Sequence, residues 1–137
     1  VQYPDSPALV FDVARFLENA RRIRAYAEPH GIAVRPHFKS IKSLALVRRL
    51  MEEGFTRFAA AKVSEAEVLA RIDAPLDIHI AYPIFGAEKV RRAAALTARH
   101  RITVGVDSVE HVEQFVRCGD LDRDRFAISI IVDAGYG

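Results

Sequence analysis

The amino-acid sequence predicts an α/β chain whose parallel sheet forms part of a (β/α)8 TIM-type barrel. Strand-like and helix-like patterns alternate, and from the second strand onward the repeat is about 20 to 25 residues, the size of one strand-plus-helix unit. No low-complexity segment or Gly/Ser linker interrupts the alternation. The most β-prone run, Ala127-Ile128-Ser129-Ile130-Ile131-Val132, comes last, and only a few residues follow it. A flavodoxin-like doubly wound sheet of about five or six strands would be complete at 137 residues, whereas eight barrel units need about 200 or more. An open sheet normally covers its final strand with a closing helix, and an uncovered apolar strand is an aggregation-prone edge. The expected architecture is therefore a partial barrel of about five barrel strands, its last edge covered by further chain or by a partner.

Pro7-Ala8-Leu9-Val10-Phe11-Asp12 reads as a short first strand. The helix after it runs from about Val13 to Glu28, with Leu17, Ala20, Ile23, Ala25 and Ala27 on its apolar side, and Pro29-His30-Gly31 stops it. Gly31-Ile32-Ala33-Val34 begins a second strand that ends at Lys39. A helix from about Ser43 to Glu53 is closed by Gly54. Arg57 to Lys62 is the third strand, and Ser64 with Glu67 three residues later is a capping-box signature for the helix that follows. Asp77 to Tyr82 is the fourth, with Pro83 and Gly86 breaking the chain before a helix at about Ala87 to Arg99. Ile102 to Asp107 is the fifth, Ser108 and Glu110 open a helix to about Arg117, and Phe126 to Asp133 is the sixth.

Half the residues are apolar and 28% are charged, which places the chain among globular rather than disordered proteins. A net charge of +2 is too small to argue for nucleic acid, and the pairs Arg21-Arg22, Arg48-Arg49 and Arg91-Arg92 read as solvated helix faces. The single cysteine, Cys118 beside Gly119, excludes an internal disulfide and fits a reducing compartment. No run approaches a membrane span and no export signature opens the chain, so a cytoplasmic location is expected.

In a parallel architecture ligands bind where the strands end. Those ends read Lys39-Ser40, Lys62-Val63-Ser64, Tyr82-Pro83, Asp107-Ser108 and Asp133-Ala134-Gly135, and each offers a polar or ionisable group. The stretch Arg35-Pro36-His37-Phe38-Lys39 is the most informative of them. If it is a strand, its period of two puts all three basic side chains on one face. A lysine crowded by two such neighbours in a partly dry pocket has its charged form disfavoured, which is the chemistry of a Schiff-base lysine. The bland alternative is a basic edge strand in solvent.

His37 is a candidate donor or proton shuttle, or a core histidine satisfied by backbone. Arg35 is a candidate for orienting a ring or phosphate, or a structural cation paired with Asp133 or Asp107. Lys42 reads as a solvated helix-start residue, and His79 as a core histidine. His30, His100 and His111 lack ligand spacing, and there is no Cys/His cluster, Gly-rich phosphate loop or Gly-x-Ser-x-Gly elbow. Metal binding by this chain is not expected.

Arg35-Pro36-His37-x-Lys39-x-x-Lys42 resembles the signature of fold-type III pyridoxal-phosphate enzymes of the D-threonine aldolase and D-serine dehydratase group. Further matches follow in order: Pro7 to Val10 leading to Asp12, Glu65-Ala66-Glu67-Val68-Leu69, Ile80-Ala81-Tyr82-Pro83, Val106-Asp107-Ser108 and Val132-Asp133-Ala134-Gly135. The resemblance implies an alanine racemase-like barrel, with Pro7 to Asp12 outside it and the strands ending at Lys39, Lys62, Tyr82, Asp107 and Asp133 as its first five. Lys39 would carry pyridoxal 5'-phosphate, with His37, Arg35 and Asp133 as further cofactor-binding candidates.

The activity implied is a lyase acting on β-hydroxy-D-amino acids, by retro-aldol cleavage or by dehydration, and commonly as a homodimer. Two departures stand out. Ser40-Ile41-Lys42 replaces the Thr-His-Lys usual after the lysine, which leaves substrate detail open. The group also continues beyond Asp-x-Gly into further barrel strands and a β domain bearing divalent-metal ligands, so residues 1–137 are expected to be the N-terminal part of the barrel domain and inactive alone. Rival readings are an amino-acid racemase of the same fold, which expects a tyrosine shortly after the lysine where none lies between Ser40 and Arg57, a non-catalytic pyridoxal-phosphate-binding protein, and a complete flavodoxin-like binding domain.

Overall fold

The computed structural model describes residues 5–118 and 121–135. Gly119, the neighbour of Cys118, lies outside the described residues, as do Tyr136 and Gly137. Four parallel strands form one sheet: β1 (Arg57–Ala60), β2 (Asp77–Ile80), β3 (Arg101–Val106) and β4 (Phe126–Ile130). They lie side by side in sequence order, each paired in parallel with the next. A doubly wound sheet reverses its order at a switch point. No reversal occurs among the described strands, so the winding is that of a barrel and the flavodoxin-like alternative is set aside.

The strands alternate as period-2 geometry requires. Phe58, Ala60, Ile78, Ile80, Ile102, Val104 and Val106 are buried on one face and form the core with residues of the helices. Helices α3 (Leu44–Glu52), α4 (Val63–Leu69), α5 (Ala87–Ala95) and α6 (Val109–Cys118) contribute Val47, Leu50, Ala66, Leu69, Val90, Ala93 and Phe115 to it. The same apolar face is uncovered at β4, where Ile128 and Ile130 are exposed.

The remaining elements are α1 (Val13–Ala27), a 3-10 turn at Glu28–His30, α2 (Phe38–Ile41) and a 3-10 turn at Leu96–Ala98. Asp12 caps α1 by accepting from the Arg15 amide at 2.9 Å, and Ser43 caps α3 through the Leu46 amide at 3.4 Å. Gly54 follows α3 at φ +88°, a conformation that favours glycine, and a Cβ there would run into the Arg24 guanidinium. Arg24 reaches the Glu53 carbonyl and Arg21 donates to the Glu53 carboxylate at 2.8 Å, so two cations of α1 clamp the end of α3.

Three expectations are corrected. Pro7 to Asp12 is not a strand. Leu9 is 99% exposed, Val10 and Phe11 are also exposed, and no strand among the described residues pairs with this segment. The barrel has four described strands rather than five. The position before β1 is held by one bridge, His37 to Ala59, with the Ala59 amide bonded to the Pro36 carbonyl at 2.9 Å.

The Ser64–Glu67 capping box does not form either. Helix α4 begins two residues earlier than that box requires, at Val63, with Lys62 as its N-cap. Glu65 then occupies the third helical position and its carboxylate accepts from the Ala61 amide at 2.8 Å. Glu67 instead grips Arg92 of α5 through two bonds of 2.7 and 2.6 Å.

Candidate functional site

The face of the sheet opposite the core is polar. Adjacent residues in parallel register share a face, so Arg35 and His37, Ala59, Asp77 and His79, Thr103 and Gly105, and Ala127 and Ser129 line it. Arg35 and His37 keep the alternation read from the sequence, but Lys39 leaves it. The backbone is extended at His37 and turns at Phe38 into α2, so Lys39 stands on a helical turn rather than at a strand's end. The cause is apolar: Phe38 is buried in the core and Ile41, three residues on, packs against it, which is helical spacing. Lys42 closes that turn in the left-handed region at φ +46°, the one non-glycine among the described residues to do so.

Lys39 nonetheless arrives where the strand ends converge. Its Nζ lies 5.7 Å from the centroid of the Tyr82 ring, two residues past β2. That is cation–π range, and a partner the sequence did not reveal. Among the described residues no carboxylate pairs with Lys39. The Lys39 amide donates to His37 Nδ1 at 3.2 Å, so Nδ1 is an acceptor and a neutral ring carries its proton on Nε2. Burial and then the Lys39 charge hold the His37 pKa below the usual imidazole range, with Glu65 partly opposing them.

Arg35 donates through Nη1 to the Asp77 carboxylate at 2.7 Å, the Asp77 carbonyl at 2.9 Å and the Phe58 carbonyl at 3.4 Å. Its partner is thus neither Asp107 nor Asp133. Asp77 opens β2, which Arg35 reaches across β1, whereas those two stand at the opposite ends of their strands. Asp107 accepts from His111 Nδ1 at 2.7 Å, and Asp133 accepts from the Gly135 amide at 2.8 Å. His79 reaches across β3 to bond Ser129 Oγ at 2.9 Å, so it belongs to the polar face and not to the core. Burial, then the Arg35 charge, lowers its pKa, Asp77 opposing and His37 adding.

His100, buried behind the sheet, accepts from the Leu76 amide at 3.3 Å and is likewise lowered by burial and Arg99, against the Ala70 backbone. Three imidazoles whose folded pKa values lie below the unfolded value give a signed expectation. Their neutral forms stabilise the fold fully above about pH 6.5, and that stability is lost as pH falls through the folded values. Urea midpoints should therefore decline from pH 7 toward pH 5, and His100→Gln should flatten the decline; a midpoint that rises over this range contradicts the assignment.

No group of three or more His, Cys, Asp or Glu side chains among the described residues could hold a metal ion. No helix among them is long and apolar enough to cross a membrane.

Residues 11–137 match the family described as alanine racemase, N-terminal domain. D-threonine aldolase of Arthrobacter sp is 33% identical over 135 residues, covering 97% of this chain and 35% of that protein. The 3-hydroxy-D-aspartate aldolase of Paracoccus denitrificans (strain Pd 1222) is 30% identical over 135 residues, covering 96% and 34%. The crystal structure of D-threonine aldolase from Filomicrobium marinum superposes with a TM-score of 0.83 at 26% identity, covering 94% of this chain and 35% of that one. The chain spans about a third of the length of the relatives it matches.

Proposed function

The chain belongs to the alanine racemase N-terminal domain family, and on that premise we propose that it forms the lysine-bearing part of a pyridoxal-phosphate-dependent lyase that cleaves β-hydroxy-D-amino acids. One observation carries the reading: an amine without a carboxylate partner among the described residues stands at the C-terminal end of a parallel sheet, over an aromatic ring. A group that must condense with an aldehyde needs such an amine, since a carboxylate would hold it as the unreactive ammonium. When bound, pyridoxal phosphate supplies an electron sink for bond cleavage at a substrate's α-carbon.

The residues have distinct parts. Lys39 attaches the cofactor through Nζ. His37 offers its Nε2 proton beside it, and the Tyr82 ring walls the amine. Arg35, fixed by Asp77 and two backbone carbonyls, braces the polar face beneath the cofactor, and Asp133 contributes from beyond the end of β4. Cleavage of the Cα–Cβ bond is favoured over dehydration because the three proteins named above are all aldolases. The test is the full-length protein with pyridoxal phosphate and the D and L forms of threonine. The expected result is cofactor-dependent formation of glycine and acetaldehyde from the D form; racemisation without cleavage would overturn the reading.

A further inference from the structure

The turn from β1 into α4 and the loop from β2 into α5 line an open cavity of about 170 Å3 that meets the proposed machinery only at Tyr82. Its wall carries three cations, Lys62, Lys89 and Arg92, and no acidic residue. Arg92 is already neutralised by its two bonds to Glu67 and by Glu88 at 3.8 Å. Lys62 and Lys89 have no ion-pair partner among the described residues. Two uncompensated ammonium groups at one small cavity attract an anion.

The position of the cavity decides which anion. Tyr82 lines it, and the same ring lies 5.7 Å from Lys39 Nζ. A molecule held at Lys39 thus has a cationic cavity one aromatic side chain away. A volume of about 170 Å3 has ample room for a carboxylate.

We infer that Lys62 and Lys89 form a subsite for the side-chain carboxylate of an acidic β-hydroxy-D-amino acid, so that the preferred substrates are dicarboxylic. The inference rests on the proposed lyase reading and sharpens it. An ammonium pair gives threonine's methyl group nothing, but gives a carboxylate charge-assisted hydrogen bonds. Discrimination by such a site is a difference in transition-state binding between the two substrates. The cofactor's phosphate is the other anion of the system, and the experiment separates the two.

Full-length protein and its Lys62→Met, Lys89→Met and double variants are compared with 3-hydroxy-D-aspartate and with D-threonine, alongside a pyridoxal phosphate titration. The ratio of kcat/KM for the dicarboxylic substrate over D-threonine is expected to fall about tenfold in each single variant, and further in the double, chiefly through KM. An unchanged ratio would overturn the subsite while leaving the lyase reading intact. A loss of cofactor affinity with the ratio preserved would overturn it in favour of the phosphate. Failure of the unsubstituted protein to cleave either substrate would overturn the lyase reading and the subsite together.

Discussion

Lys39→Ala is expected to reduce turnover of the full-length protein by about a thousandfold or more, the scale on which removing a covalent catalytic group acts. The loss should be chemical and not structural. Lys39 is exposed, alanine is the better helix former, and Phe38 with Ile41 anchors α2 without it. A surface substitution of this kind moves stability by no more than about 0.5 kcal/mol, so the urea midpoint should hold while activity disappears. Lys39→Arg sharpens the comparison, because arginine keeps a cation over the Tyr82 ring but cannot condense with an aldehyde. Recovery of activity in that variant would assign Lys39 an electrostatic role only.

The largest effect on stability is expected at Phe58. It is 0% exposed in the middle of β1, on the face that the helices cover, and belongs to the cluster that includes Leu50, Leu69 and Ile78. Truncation to alanine removes a ring from a packed interior and leaves a cavity that a parallel sheet cannot close by shifting, at a cost of about 3–5 kcal/mol. That is a large part of the net stability of an ordinary domain, roughly 5–15 kcal/mol. Chemical denaturation should show a lowered midpoint with a similar slope. A cost below about 1 kcal/mol would mean that the helix-covered face does not form the core described.

The elements legible in the sequence are those set by their own periodicity. Ile78 and Ile102 alternate with polar neighbours, and each run became a strand within a few residues of its expected bounds. Ser43 and Gly54 bracketed α3 as read, because a cap and a positive-φ stop are local devices. What was illegible depends on neighbours distant in sequence. Leu9-Val10-Phe11 has strand composition but no strand beside it among the described residues. Arg35 chose Asp77 because the register places β2 within its reach, a fact absent from either local sequence. Lys39 shifted from strand to helix because Phe38 is drawn into the core, and the placement of Tyr82 beneath its amine follows from the β2 strand ending where it does. The alternation read from the motif holds for Arg35 and His37 and breaks at Lys39.

We propose that Lys39 is the group that binds pyridoxal phosphate covalently. Borohydride reduction of the full-length protein incubated with pyridoxal phosphate, followed by peptide mass spectrometry, tests it without reference to any substrate. One reduced adduct is expected, on the peptide bearing Lys39, and none after Lys39→Ala. An adduct on Lys42 or Lys62 in its place, or a folded protein that yields no adduct, would contradict it.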